Sequence, residues 1–328
     1  MRLRFLARDR SPGLSTWACW RAFALLVLTA CAAPTAGAQP APAKAELEQR
    51  VIEVARALEA DPRFKGMSGK EIESGVEFVT GNTLFVLTHE VGHALIAEMG
   101  IPVLGREEDA ADAFATIMLL KLGRSFADRV LTNAAKGWFL GDQRDKKDGV
   151  QISYYDEHGI DLQRAYAIVC LMVGGQPEKF TALADEVKIP QERQGTCQGD
   201  YSNASWSWDK VLKPNLRAPD QPKTTIAVTY GPGKGEYDHL MELARKLGML
   251  EAVATHLSET YVWRAPISLD MQTCGQPAAQ WEGPSKKITV CYEIIAQFSD
   301  LYRKYRAAPL LPAPDKSMLR KNSNRAAP

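Results

Sequence analysis

The chain contains five histidines, and two of them stand four residues apart in His89-Glu90-Val91-Gly92-His93. On a helix, positions i and i+4 project from one face a turn apart. Two imidazole nitrogens at that spacing reach a single Zn²⁺ at about 2.0–2.1 Å. Glu90 is not a ligand in this scheme. It stands beside the open position of the metal, where it can take a proton from water, whose pKa zinc lowers to about 7, and pass that proton to a leaving amine. The competing reading, a pair of satisfied core histidines, is weakened by the acidic cluster that follows them.

Such a metal needs a third ligand. Arg106-Glu107-Glu108-Asp109-Ala110-Ala111-Asp112 opens the next helical stretch, with Glu108 and Asp112 at i and i+4. Glu108 is the favoured ligand, with Glu107 and Asp109 left as alternatives. Asp112, one turn on, suits the role of accepting the remaining N–H of a ligating histidine and fixing its tautomer. Without the histidines, the same acids would read as complements to a helix dipole. Glu98 lies five residues past His93, on a less favourable face. A three-histidine site would need Gly at 96 and His at 99, where the chain has Ile96 and Met99. His158, in Asp156-Glu157-His158-Gly159, is a candidate donor to the oxyanion that forms when a carbonyl is attacked, with Tyr154 and Tyr155 as competitors and a surface histidine as the plain alternative. His239 and His256 read as structural or exposed.

These groups must be held by helices. Leu47, Val51, Val54 and Leu58 lie on one face of a helix that Asp61-Pro62 breaks. A second helix begins after Ser68, with Glu71 as its capping-box partner, carries the apolar run Leu84–Leu87 into His89, and ends at Gly100-Ile101-Pro102. A third starts after Gly105, with Ala111, Phe114, Ala115, Met118 and Leu119 facing the core. Residues 141–149 read as a polar surface loop, a helix runs from Asp161 to Gly174-Gly175, and a loop with Cys197, Trp206 and Trp208 follows. Pro214–Pro222 is the internal seam. Beyond it the pattern predicts a strand over 224–230, a helix over 237–258, a strand over 267–271, and a strand over 288–294 turning into a helix through Leu301. The expected class is α+β: a mainly helical metal-binding half over 39–215 and a β-α-β-β-α half over 222–307, with a disordered tail over 308–328.

The bulk composition supports an exported globular chain. Hydrophobic residues make up 45% and charged residues 24%, and the net charge of +1 gives no electrostatic case for nucleic acid. Residues 1–38 read as a targeting segment: Arg2, Arg4, Arg8, Arg10 and Arg21 precede or flank a short apolar run, Ala22–Ala30. Leu28-Thr29-Ala30-Cys31 resembles a lipobox, which would leave Cys31 as a lipid anchor, whereas Ala36-Gly37-Ala38 resembles an ordinary cleavage site that releases the chain. Both put the mature protein in the periplasm or cell envelope. Cys170, Cys197, Cys274 and Cys291 are then an even set in an oxidising compartment. Of their three pairings, the local one, Cys170–Cys197 with Cys274–Cys291, is expected.

The motifs resemble a family of bacterial metallopeptidases designated DUF4344. Phe85 to Leu120 (FVLTHEVGHALIAEMGIPVLGREEDAADAFATIMLL), Asp156 to Gly174 and Cys274 to Ile294 carry the likeness, which spans most of 45–305. The resemblance implies a gluzincin-like, zincin-type fold with a sheet against the zinc helix, and a peptide or protein substrate. Two departures stand out. The segment with Cys274, Cys291, Tyr292 and Glu293 follows the zinc helix here, whereas in the members it resembles it precedes that helix, so the halves look permuted. The Asn-Ala-Phe-Tyr stretch of those members is also altered here, to Pro277-Ala278-Ala279-Gln280-Trp281, which bears on substrate binding if it lines the cleft. The competing function is a non-catalytic envelope binding or assembly protein that keeps the zinc site.

Overall fold

The computed structural model describes residues 61–122 and 125–311. The targeting segment with Cys31, the helix expected over 44–58 and residues 312–328 lie outside that range.

After a short 3-10 turn at Pro62–Phe64, helix α1 (Gly69–Met99) runs for 31 residues. Its start is a full capping box, with Ser68 and Glu71 each satisfying the other's backbone N–H. Its end is Gly100, whose φ of 63° is the left-handed conformation that only glycine adopts without strain. Ile72, Val76, Phe78, Val79, Phe85, Leu87, Val91 and Leu95 are all buried, so α1 is apolar around most of its circumference and forms the centre of the core.

Helices α2 (Glu107–Leu122), α3 (Ser125–Asp148) and α4 (Asp161–Gly175) pack around it. The expected polar loop at 141–149 is corrected: 141–148 is the last part of α3. Asp142 and Lys146 pair at i,i+4 with a 2.7 Å contact, and residues 139–142 are all buried, so packing on all sides of the helix there and a local charge pair carry it on. The loop expected around Cys197 and Trp208 is also corrected. Helices α5 (Pro177–Glu186) and α6 (Gln191–Leu212) occupy it, burying Phe180, Leu183, Cys197, Trp208 and Leu212. Trp208 packs its ring 4.9 Å from that of Phe114 on α2.

Past the proline-rich seam, strand β1 (Ala227–Tyr230) leads to α7 (Asp238–Leu247) and α8 (Met249–Thr260), two helices where one was expected, separated at Gly248. Then come β2 (Ser268–Gln272), β3 (Ala279–Glu282), β4 (Lys287–Cys291) and α9 (Tyr292–Tyr305). Strand β3 was not expected, so the order is β-α-α-β-β-β-α. The sheet runs β1-β2-β4-β3, with β1, β2 and β4 parallel and β3 antiparallel at the edge. The fold class is α+β.

The sheet segment and the helices are joined through α9 and the β3–β4 turn. Tyr302 on α9 lies 6.1 Å from the Phe64 ring and 5.6 Å from that of Phe78, and its hydroxyl donates to the Glu71 carbonyl at 2.7 Å. Lys286 donates to buried Glu98 on α1 at 2.6 Å, which is where that acid is spent. At the chain's far end, Leu310 is buried and Gln143 donates to the carbonyls of Pro309 and Leu310, so the stretch expected to be disordered from 308 packs at least as far as Leu310. Both local disulfides are present: Cys170–Cys197 ties α4 to α6, and Cys274–Cys291 ties the segment after β2 to the end of β4.

Candidate metal centre

His89 and His93 lie on the buried part of α1 and face the start of α2. The two helices approach closely because residue 92 is glycine: a Cβ there would lie 3.0 Å from Ala111 Cα on α2. That approach brings Glu108 to the histidines. His89 Nε2 lies 3.1 Å from His93 Nε2 and 3.0 Å from Glu108 Oε2, and His93 Nε2 lies 3.4 Å from the same oxygen. Two ligands on one tetrahedral zinc, at about 2.0–2.1 Å each, are separated by about 3.3 Å, so the three atoms are spaced as a zinc site requires.

Protonation points the same way. His89 Nδ1 lies 2.8 Å from Asp112 Oδ1, and His93 Nδ1 lies 2.8 Å from Glu107 Oε1. A carboxylate at Nδ1 holds the proton there in the neutral imidazole and leaves Nε2 as a bare lone pair. In that neutral form two lone pairs and a carboxylate oxygen converge on one point, an arrangement that a cation satisfies and that, without one, an added proton relieves. Burial pushes both histidine pKa values down, but the carboxylates outweigh it: His89 is raised overall, and His93 is raised to about 9. Burial likewise opposes ionisation of Glu108, yet the two histidines hold it well below the usual carboxylate range.

The other acids of α2 are engaged elsewhere. Glu107 occupies the outer nitrogen of His93, and Asp109 pairs with Arg106 at 3.0 Å. Asp112 is buried and receives two hydrogen bonds from Arg164 of α4, Nε to Oδ2 at 2.7 Å and an outer guanidinium nitrogen to Oδ1 at 2.8 Å. Despite its burial, these partners lower its pKa to about 2. The Arg164 guanidinium also lies 3.9 Å from the Trp138 ring centroid. Sequence reasoning missed Arg164. Its signal was a cation set among apolar residues in DLQRAYAIVCLMV, six positions past His158.

Glu90 is buried and shares a recess lining with His93 and Glu108. Burial raises its pKa, the nearby histidines oppose that, and the backbone N–H of Trp281 on β3 faces its carboxylate. Strand β3, absent from the sequence reading, therefore forms one wall of the cleft. His158 stands in the loop before α4, half-exposed. Its Nε2 lies 3.1 Å from Glu108 Oε2, and Asp156 Oδ1 holds its Nδ1 at 3.1 Å and its backbone N–H at 2.9 Å. Tyr154 and Tyr155 are exposed and make no hydrogen bond to a described residue. His239 contacts Asp61 at 2.9 Å, and the half-buried His256 sits on α8; neither is among the residues that line the cleft. No helix among the described residues is long and apolar enough to cross a membrane.

A family model, DUF4344, whose description is "Putative metallopeptidase", matches residues 44–212 and 231–320. No curated protein and no solved structure matches the chain.

Proposed function

Because the chain belongs to the DUF4344 family of metallopeptidases, we propose that it is an exported, zinc-dependent peptidase with a zincin-like catalytic domain formed by residues 39–215 and 222–307 together. The observation that carries this reading is the convergence of His89 Nε2, His93 Nε2 and Glu108 Oε2, with Glu90 beside them. A metallopeptidase family implies a metal, and this donor set of two imidazoles and one carboxylate is that of a catalytic rather than a structural zinc site. His89, His93 and Glu108 would hold the ion. When bound, zinc supplies a Lewis acid and water of lowered pKa.

The remaining chemistry belongs to the chain's own groups. Glu90 takes a proton from the attacking water on a carboxylate oxygen and passes it to the amide nitrogen as the C–N bond breaks. The water oxygen ends in the new carboxyl group, and the amine leaves protonated. Burial supports this role, since a carboxylate of raised pKa is a stronger base. His158, held by Asp156, donates from Nε2 to the carbonyl oxygen as charge develops there. Asp112 keeps the His89 proton on Nδ1, and Arg164 keeps Asp112 in place. The two disulfides suit an oxidising compartment, which agrees with export to the periplasm or envelope, with Cys31 as lipid anchor or cleavage after Ala38.

The test compares wild type with Glu90→Gln on a peptide mixture, with metal counted per chain in both. About one zinc in each, and hydrolysis in wild type alone, is expected. Equal hydrolysis by Glu90→Gln would overturn the mechanism. Bound zinc with no hydrolysis by either protein would favour a non-catalytic envelope protein.

A further inference from the structure

The cleft divides at Glu90. One recess carries His93, Glu107, Glu157 and Trp281; the other runs inward between α1, α3 and α9, and both are lined by Glu90, His158 and Ala279. The inner recess has a volume of about 320 Å³. Its apolar walls come from Phe85, Val86, Trp138, Ile294, Phe298 and Leu301. A dry cavity of roughly 150 Å³ takes a benzene ring, so this one has room for a phenyl or indole group with its methylene.

The charged groups at its lining are mostly committed. Arg164 is bonded to Asp112, and Arg144 donates to Asp145 at 2.8 Å. Asp161 accepts no hydrogen bond from a described residue, and burial raises its pKa to about 6. Acids and bases share this lining, Glu90 and Asp161 with Arg144 and Arg164, so a charged side chain of either sign would meet repulsion along with attraction, and it would also lose its hydration. An uncharged, bulky side chain meets neither cost and removes apolar surface from water.

We propose that this recess is the specificity pocket of the enzyme and that it receives a large aromatic or aliphatic side chain from a residue flanking the scissile bond. The proposal rests on the peptidase reading above. That residue must flank the bond because the recess begins at Glu90 and His158, the two groups that would act on the bond itself.

Cleavage sites are mapped by mass spectrometry on a peptide series carrying Phe, Leu, Ala, Asp or Lys at one flanking position, with wild type, Glu90→Gln, Ala278→Trp and Gln297→Trp. The last two substitutions fill the recess from different walls, so misfolding of one leaves the other informative. Wild type is expected to cleave the Phe and Leu peptides at least about tenfold faster in kcat/KM than the Ala, Asp and Lys peptides. The filled variants are expected to bind zinc as wild type does and to lose that discrimination. Glu90-dependent cleavage with no preference, or with a preference for charged residues, would overturn the pocket assignment and leave the peptidase reading standing. Absence of Glu90-dependent cleavage of every peptide would overturn both.

Discussion

His89 Nδ1 lies 2.8 Å from Asp112 Oδ1, and the same carboxylate is clamped from behind by Arg164. The α1 histidine is thus oriented from two helices at once, α2 through Asp112 and α4 through Arg164. Removing an outer partner of this kind costs about 10–100-fold in metal affinity. Asp112→Ala is therefore expected to weaken zinc binding by that factor, measured by competition with a chelator of known affinity. Unchanged affinity would show that Asp112 serves only as the counter-ion of Arg164.

Arg164 has the larger structural part. Removing it would leave Asp112 charged and buried without its main partner, a change that typically costs about 3–5 kcal/mol. Arg164→Met is expected to lower stability by about that amount in denaturant unfolding. The double variant Asp112→Asn/Arg164→Met, which removes both charges, should recover much of the loss. If the single and double variants are equally unstable, packing of the guanidinium on Trp138 rather than charge pairing is what the fold requires.

Much of the candidate centre is legible in the sequence because its signals are local. The i,i+4 histidines, the Ser68–Glu71 capping box, the stop at Gly100 and the acidic start of α2 each depend on residues a turn or two apart. What escaped depends on distant partners. Strand β3 has the sequence AQWE, with little β propensity, and exists because β4 pairs with it from Glu282↔Lys287 to Ala279↔Val290. Arg164 makes sense only beside Asp112, 52 residues earlier in the chain. The run from 191 to 212 reads as polar, yet Cys197, Trp208 and Leu212 fall on one face at helical spacing and are buried. Gly141 suggests a boundary from its residue type, whereas α3 continues through it to Asp148.

Metal uptake should release protons. Glu108 and Glu107 raise the His93 pKa, to about 9, so in the metal-free protein its ring is expected to carry an added proton at neutral pH, which a bound zinc ion would displace. His89 shifts in the same direction. The sign follows: each pH unit below the His93 pKa lowers apparent zinc affinity about tenfold for each proton displaced. Titration calorimetry at pH 7, in buffers of different ionisation enthalpy, should show release of at least about one proton per zinc. Buffer-independent heats would contradict the protonation of His93.

Gly92 sets the separation of the two helices that carry the candidate ligands. A methyl group at this position would press on the Ala111 backbone at 3.0 Å, which cannot yield as a flexible side chain would. Gly92→Ala gains about 0.5–1 kcal/mol of helix propensity but incurs about 1–3 kcal/mol of overpacking, so modest net destabilisation is expected. The larger effect should fall on the metal, because any outward shift of α2 carries Glu108 away from His89 and His93. A folded Gly92→Ala protein with wild-type zinc affinity would show that the helices can part without moving Glu108.

Glu90 should set the acid limit of activity. Only its ionised form can accept a proton, and burial raises its pKa above the ordinary 4.5, with the charge of Glu108 adding to the shift. The two histidines and the Trp281 N–H pull the other way without reversing it. As pH falls through this raised value, the base is lost and kcat/KM should fall about tenfold per pH unit. The acid limb is therefore expected above pH 4.5. Zinc content must be followed across the same range, since loss of metal also lowers activity in acid. An acid limb below 4.5 with full metal occupancy would mean that Glu90 is solvated in the working enzyme and that another group accepts the proton.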